Sequence, residues 1–243
     1  MAEYDKFAKQ YSSNVSLKRK HAIEPTFFKV LGNVSDKSVL DVACGSGYFT
    51  RKVKQLGASE IVGIDISEKM LELARESEVK NSLGIKYFNK DAIDFEKIKE
   101  FDLVVCTFLF HYAKTEKELN KMIKNCSLNL NSGGRMVAIN LDPSNPLSHN
   151  KKIGSTVASK KDNIENGDQL LFKTYDDKGS EVTHFAIYHW TKDTYEKLFK
   201  KNGFNRVVWH EIKLTPEAIK KYGYDFWKDA MREKSIIIIE CYK

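Results

Sequence analysis

The chain has 243 residues, of which 42% are hydrophobic and 30% charged, with 14 Phe and 11 Tyr. This composition can bury a core and excludes wholesale disorder, and the length suits one α/β domain with or without an inserted cap. The chain contains no run of 18 apolar residues, which excludes a transmembrane helix. Its amino terminus has acidic residues and no apolar segment, so we expect no secretory signal and a cytoplasmic location.

The net charge of +7 raises the question of nucleic-acid binding. Only six of the 40 basic residues are arginine, the residue that makes bidentate contacts with phosphates and bases. The lysines are interleaved with acidic residues, and the densest basic cluster, residues 18–20, is too short for a binding arm. We therefore predict a solvated, lysine-rich surface and no nucleic-acid partner, with an RNA-modifying enzyme as the alternative.

Short apolar segments alternate with helical patterns through the first 140 residues. The predicted strands cover residues 39–42, 61–64, 85–88, 101–106 and 135–140. Helices are predicted over 48–56, from Ser67 onward, and over 115–128. Apolar strands that are separated by helices must be covered on both faces, so the pattern predicts a parallel sheet with right-handed crossovers.

The pattern changes after residue 141. Residues 142–182 are polar and too numerous for an ordinary connection, which indicates a partly structured insertion that serves as a lid or cap. A strand over 185–190 is expected at the edge of this insertion, followed by a helix over 191–202. Two further strands, over 206–210 and 235–242, are expected to pair in an antiparallel manner.

The stretch from residue 39 to residue 47 carries the clearest chemical signal. A strand containing Asp41 passes through a turn of small residues into a helix, and Gly45 and Gly47 allow a ligand to approach the backbone. Asp65 ends the next strand, where a carboxylate reaches the hydroxyl groups of a ribose. Ligands of open α/β sheets bind beyond the carboxyl ends of the strands, so this pair predicts a site for a nucleoside-containing cofactor.

A dinucleotide is a poor fit to this turn. The G-x-G-x-x-G pattern would need a glycine at Thr50 or at Tyr48, depending on the register. Asp41 would also lie near the pyrophosphate, where a second anion is unfavourable. A carboxylate at this place suits a ligand with a positive charge, such as an α-ammonium or a sulfonium group.

These motifs resemble those of the class I S-adenosylmethionine-dependent methyltransferases. Residues 39–47 resemble the first motif of that family, with Ala43 in place of its first glycine. Residues 63–67, 91–92 and 101–107 resemble the second and third motifs and the fourth strand. The resemblance covers about residues 35–140 and is specific, because four motifs occur in order at suitable spacing.

The resemblance implies that S-adenosylmethionine is the cofactor, with Met70 against the adenine, Asp91 at its amino group and Thr107 near the methionine part. The residues expected to contact it in this half of the chain are Asp41, Ala43, Gly45, Ser46, Gly47, Asp65, Ile66, Met70, Asp91, Ala92 and Thr107. Residues 4–11 are more weakly similar to small-molecule methyltransferases whose first helix folds over the cofactor. That similarity makes Tyr11 and Arg19 candidates for contact with the sulfonium or the carboxylate, and the alternatives are helix packing and a surface cation.

The element pattern and the resemblance together predict one α/β domain over residues 1–243. Its core is a Rossmann-like, seven-stranded, mostly parallel sheet with helices on both faces and an antiparallel last strand. A helical cap over 1–32 precedes the cofactor-binding half, 33–141. An insertion after strand five, 142–190, is expected to cover the substrate, and 191–243 supplies the C-terminal strands and a connector on the substrate side.

The residues after the fourth strand bear on the substrate. No Asn/Asp-Pro-Pro-aromatic segment follows that strand, and Cys106 lacks a preceding proline, which argues against base methylation in nucleic acid. His111 is the candidate base for an N–H or O–H group, and a hydrogen-bonded structural histidine is the alternative. Tyr11 is a second catalytic candidate. Tyr222 and Trp227 are expected to face a planar substrate, since residues 222–227 hold four aromatic side chains.

The predicted function is therefore methyl transfer to a nitrogen or oxygen atom of a small molecule. An RNA methyltransferase and a non-catalytic module that binds the cofactor are the alternatives. No metal site and no membrane association are predicted, and the sequence leaves the acceptor and the oligomeric state open. Residues 214–227 are also similar to toxoflavin-synthase-type methyltransferases.

Overall fold

A computed structural model describes residues 16–176 and 178–243, and ten strands form two sheets in this part of the chain. In chain order the strands are β1 (Ser38–Val42), β2 (Glu60–Asp65), β3 (Lys86–Asn89), β4 (Phe101–Thr107), β5 (Leu130–Leu141), β6 (Ser155–Ala158), β7 (Gln169–Tyr175), β8 (Glu181–Tyr188), β9 (Arg206–Glu211) and β10 (Ile236–Tyr242). The central sheet has the order β3-β2-β1-β4-β5-β10-β9, and the second sheet has the order β6-β7-β8.

Helices connect the strands of the central sheet. They are α1 (Glu24–Leu31), α2 (Tyr48–Gln55), α3 (Glu68–Lys80), α4 (Glu116–Leu128), α5 (Lys192–Lys201), α6 (Pro216–Tyr222) and α7 (Tyr224–Glu233). A π-helical segment over Arg19–Ile23 leads into α1. The Ser67 hydroxyl accepts a hydrogen bond from the backbone N–H of Met70, so α3 begins where the sequence predicted a helix.

The strand directions confirm the predicted fold class. β1 pairs in parallel with β2 and β4, and β10 runs antiparallel to both β5 and β9. Both faces of the sheet are buried, as alternate residues of one strand show: Val39 packs with α1 and α2, whereas Leu40 packs with α4 and α5. Within residues 16–176 and 178–243, no helix has both the length and the apolar character needed to cross a membrane.

The second sheet lies between β5 and α5 in the chain. Phe172 of β7 pairs with Phe185 of β8, so the strand predicted over residues 185–190 at the edge of the insertion corresponds to β8 of a separate antiparallel sheet. β6 and β7 were missed within a polar stretch. Trp190 anchors the end of this segment by donating its indole N–H to the Ala113 carbonyl over 3.0 Å.

Candidate active site

A cavity of about 500 Å³ lies at the carboxyl ends of β1, β2, β3, β4 and β5, beneath the second sheet. In open parallel sheets the ligand-binding loops lie at this edge, where the sequence predicted a site. Of the residues singled out from the sequence, those that line the cavity are Arg19, Ala43, Gly45, Ser46, Asp65, Ile66, Met70, Asp91, Ala92, Thr107 and His111. Tyr11 lies outside the described residues.

The turn after β1 brings backbone to the cavity surface. Ala43 and Gly45 have positive φ angles of 63° and 55°. A Cβ at Gly45 would meet no atom within 4 Å, so this glycine leaves open space beside the cavity. Gly47 does not line the cavity, because it faces Tyr87: a Cβ there would lie 2.4 Å from the phenolic oxygen. The structure therefore gives Gly47 a packing role in place of the predicted contact with the cofactor.

Asp65 joins the ends of the first two strands. Its carboxylate accepts hydrogen bonds from the backbone N–H groups of Gly45 and Ser67, each over 2.8 Å. The residue is only 9% exposed, and the exposed part faces the cavity. The side chain is thus held in place by backbone donors at the position where a ribose is expected.

Asp41 differs from its prediction. Its side chain is fully buried, does not line the cavity, and accepts a hydrogen bond from the Thr50 hydroxyl over 2.6 Å. Burial raises the pKa of the Asp41 carboxyl to about 7, an effect that the Thr50 hydrogen bond opposes and the charge of Asp65 reinforces. Asp41 therefore ties β1 to α2 and does not face a cationic ligand. The sequence showed an acid in the strand but not the helix toward which it points.

Arg19 lies over the aromatic residues that open α2. Its guanidinium carbon is 4.1 Å from the ring centroid of Tyr48 and 4.9 Å from that of Phe49. Its Nε atom is buried and has no hydrogen-bond partner among the described residues. An unsatisfied cationic donor at the cavity wall suits a carboxylate ligand.

The part of the cavity next to Asp65 also has apolar lining residues. Met70 is buried, whereas Ile66 is 53% exposed. The Asp91 carboxylate accepts a hydrogen bond from the backbone N–H of Ile93 over 2.9 Å, and Ala92 lies between them. These cavity residues combine apolar side chains with an acid, a combination that fits a purine ring with an amino group.

His111 is buried at the other half of the cavity, with its Nδ1 atom 3.2 Å from the Asn140 side-chain oxygen. The Asn140 amide nitrogen donates to the Leu141 carbonyl and to the Tyr195 hydroxyl, which orients its oxygen toward His111. Nδ1 then carries the proton of the neutral ring, and Nε2 is left as the basic atom. Burial lowers the pKa of His111 to about 4, and the hydrogen bond with Asn140 partly opposes this change.

Aromatic side chains form the wall around His111. Phe172 and Phe185 of the second sheet stack with ring centroids 5.0 Å apart, and Tyr112 lies 5.9 Å from Phe185. All three line the cavity, together with Phe108 and Tyr188. This wall is suited to a planar or apolar ligand. Phe172 lies within the polar stretch 142–182, where no local pattern points to it.

Tyr222 and Trp227, predicted to face the substrate, do not line this cavity. Trp227 of α7 is fully buried against α6 and donates its indole N–H to the Ala218 carbonyl over 3.2 Å. Tyr222 stacks on Phe226 with ring centroids 5.2 Å apart. These aromatics belong to a separate small core, which α6 and α7 form together with Ile153 and Leu17.

Residues 39–134 match the family model described as a methyltransferase domain. The ubiquinone biosynthesis O-methyltransferase of Bordetella avium is 27% identical over 143 residues, covering 55% of this chain and 58% of that protein. The ribosomal protein L11 methyltransferase of Fusobacterium nucleatum is 35% identical over 103 residues, covering 41% of this chain and 33% of that protein. The chain thus spans about half the length, or less, of these curated relatives.

Solved structures extend the likeness to the whole fold. An S-adenosylmethionine-dependent methyltransferase from Mesorhizobium loti superposes with a TM-score of 0.66 at 20% identity, covering 90% of this chain and 96% of that one. The shared seven-stranded sheet confirms the predicted fold. Residues 39–134 therefore match a methyltransferase domain, and the chain has the fold of a solved S-adenosylmethionine-dependent methyltransferase.

Proposed function

We propose that this protein transfers the methyl group of S-adenosylmethionine to a nitrogen or oxygen atom of a small, planar molecule. The observation that carries the proposal is that one cavity joins the Gly45–Asp65 turn to His111 and its aromatic surroundings. When bound, S-adenosylmethionine supplies a methyl carbon that is already activated by a positively charged sulfur. The protein then has to align the acceptor and exclude water.

The cofactor half of the cavity fits this group. Gly45 leaves space at the backbone, and Asp65 offers a fixed carboxylate for the ribose. Arg19, with its unsatisfied Nε atom, would hold the carboxylate of the amino-acid part. Met70 and Ile66 would contact the adenine. Tyr11 remains a proposed contact from the segment that precedes the described residues.

His111 is the proposed base. The acceptor N–H or O–H would donate a hydrogen bond to Nε2, and the proton would pass to that atom as the acceptor becomes more acidic during bond formation. A lowered pKa keeps the ring neutral near pH 7, so it is ready to accept the proton. Its weak basicity favours acceptors that are themselves acidic, such as a phenol or an acidic ring nitrogen.

The position of the second sheet supports a small acceptor. The sheet contributes Val157, Phe172 and Phe185 to the cavity wall, so the acceptor half lies under a cover of protein and not on an open surface. A macromolecule would need a flexible loop or chain end to enter. The net charge of +7 supports the RNA alternative but is carried mainly by lysines dispersed along the chain.

Calorimetry with S-adenosylhomocysteine tests the cofactor site. We expect binding by the wild type and a loss of roughly 1.5–3 kcal/mol in Asp65→Ala, the cost of removing charged hydrogen bonds. Asp65→Asn keeps the shape of the side chain and separates lost charge from a disturbed turn. Asp94→Ala, at an exposed position, is the matched control and should bind like the wild type.

Radiolabelled S-adenosylmethionine and a metabolite extract test the transfer itself. Label that appears in a small molecule with the wild type and is strongly reduced with His111→Gln supports the proposal. Label found only in added RNA would favour the RNA alternative. Absence of S-adenosylhomocysteine binding by the folded wild type would rule the function out.

A further inference from the structure

Lys18 is a buried cation in the cavity wall. The residue is only 3% exposed, and its ammonium donates a hydrogen bond to the Ser235 hydroxyl over 3.0 Å. Both residues line the cavity. Lys20, two positions along the same basic cluster, is exposed to solvent. The cluster at residues 18–20 is therefore not a uniform surface patch, since one of its members faces the interior.

The sheet register places Lys18 in the acceptor half. Ser235 accepts a hydrogen bond at its carbonyl from the backbone N–H of Asp142, just beyond the Leu141–Ile236 pair. Asn140, which contacts His111, is only two residues back along β5, about 7 Å. The turn after β1 is three strand spacings away from β10, about 14 Å across the sheet. The ammonium is therefore nearer to the proposed base than to the cofactor turn.

Lys18 and its neighbour Arg19 serve opposite ends of the cavity. Arg19 lies against Tyr48 and Phe49 at the start of α2, next to the cofactor turn. Lys18 extends to Ser235 at the start of β10. Consecutive residues of a helical segment project about 100° apart, which allows the two cations to reach different elements.

The charge of Lys18 is incompletely compensated. An ammonium has three donor hydrogens, and Ser235 is its one hydrogen-bond partner among the described residues. Glu233 attracts it electrostatically, but within residues 16–176 and 178–243 Lys18 forms no ion pair with a carboxylate within 4.0 Å. Burial lowers the pKa of Lys18 to about 8, and Glu233 partly opposes that change, so the group still carries a charge near pH 7. Buried charges are ordinarily paired, so an anion is the expected missing partner.

We propose that the methyl acceptor carries a carboxylate or similar anionic group that Lys18 binds while its ring contacts Phe172 and Phe185. This inference rests on the proposed function and names the chemical class of its substrate: a planar aromatic acid. The anion would take the ammonium donors that Ser235 leaves over, and the ring would lie between the ammonium and the base. An acid of this kind is selected over its neutral amide because the amide leaves the buried charge unpaired.

Matched acids and amides test this selection directly. The probes are benzoate, phenylacetate and 2-naphthoate, each compared with its amide, titrated into protein saturated with S-adenosylhomocysteine. We expect at least one acid to bind tenfold or more tightly than its amide. Lys18→Met should reduce that preference to less than twofold, whereas Lys20→Met, the exposed control, should retain it.

A second variant guards against a folding defect. Lys18→Gln removes the charge but keeps a donor for Ser235, and it should lose the acid preference while it binds S-adenosylhomocysteine like the wild type. If Lys18→Met has a lowered melting temperature, the test rests on Lys18→Gln and Ser235→Ala. Ser235→Ala leaves the ammonium unsupported and should weaken binding of the acid threefold or more, but not that of the amide.

Three results would overturn the inference. They are the absence of an acid preference in the wild type for all three pairs, its persistence in folded Lys18 variants, and a loss of S-adenosylhomocysteine binding in those variants. The last result would assign the ammonium to the carboxylate of the cofactor. In each case binding of S-adenosylhomocysteine by the wild type leaves the proposed methyl transfer intact, so the two proposals fail separately.

Discussion

The backbone N–H of Gly45 donates a hydrogen bond to the Asp65 carboxylate over 2.8 Å. This contact couples the turn after the first strand to the end of the second, two segments 20 residues apart in the chain. The accessible backbone of Gly45 and the oriented carboxylate of Asp65 therefore lie at the same point of the cavity. Because the two residues are hydrogen-bonded to each other, we expect a substitution at either one to displace the other and so to weaken cofactor binding.

Gly45→Ala tests whether the cofactor occupies the open space beside this residue. The φ of 55° makes alanine unfavourable by roughly 1 kcal/mol, and its methyl group would enter the open space beside the cavity. We expect the affinity for S-adenosylhomocysteine to fall by tenfold or more with only a small loss in the free energy of unfolding. Gly84→Ala is the matched control, because that glycine has a φ of 75° and open space but lies away from the cavity. Equal affinities of the two variants would contradict a close approach of ligand at Gly45.

Gly47→Ala should instead destabilise the fold. Its Cβ would lie 2.4 Å from the Tyr87 hydroxyl oxygen, in addition to the conformational cost of a φ of 78°. We expect a loss of about 2–4 kcal/mol in the free energy of unfolding, measured by urea denaturation.

Tyr87→Phe provides the rescue for Gly47→Ala. The Tyr87 hydroxyl is buried without a hydrogen-bond partner among the described residues, so its removal alone should cost little. In the double variant we expect a recovery of 1 kcal/mol or more, about the size of the steric conflict that the hydroxyl causes. A strictly additive double variant would show that Tyr87 is not the obstacle.

Asp41 should make stability decrease as the pH rises. Its pKa is raised from 3.8 to about 7 by burial, so the folded state favours the protonated form. The resulting stabilisation is complete below pH 3.8 and is lost as the pH rises toward 7. Compared with Asp41→Asn, the wild type should lose about 3 kcal/mol of unfolding free energy between pH 4.5 and 7.5.

Urea denaturation of both proteins at the two pH values measures this difference. Asp94→Asn, at an exposed site, serves as the control and should follow the wild type. A difference between wild type and Asp41→Asn that does not change with pH would mean that Asp41 titrates as an ordinary carboxyl group.

Asn140 should set the protonation of His111. Burial lowers the pKa of this histidine to about 4, so its ring stays neutral as the pH falls until it approaches that value. Asn140→Asp places a negative charge 3.2 Å from Nδ1 and should raise the pKa by one to two units. Nuclear magnetic resonance titration of labelled histidine, with His111→Gln to assign the signal, measures the change without a substrate.

The same variant bears on the chemistry. If His111 is the base, the acidic limb of the methyl-transfer profile should move to higher pH in Asn140→Asp, because loss of the neutral ring then begins earlier. His21, whose ring lies against Tyr222 and Trp227, is the internal control, and its signal should be the same in both proteins. An unchanged His111 signal would contradict the contact with Asn140.

The sequence by itself determined the alternation of strands and helices and the position of the glycine turn after the first strand. These features are local: apolar strands, small residues in a turn and an acid at a strand end all show themselves within a few neighbouring positions. Gly45 and Asp65 reach the cavity because the carboxyl ends of parallel strands meet at one edge of the sheet. The antiparallel last strand also followed from the lack of a helix-length crossover.

Only the tertiary structure decided where individual side chains point. Asp41 turns toward Thr50, Gly47 toward Tyr87, and Trp227 into its own small core, although the sequence suggested ligand contacts for all three. Lys18 and Phe172 line the cavity, although each lies in a polar segment whose sequence is typical of an exposed surface. The physical reason is that orientation depends on which distant element packs against a residue, and such long-range pairing leaves no local pattern in the chain.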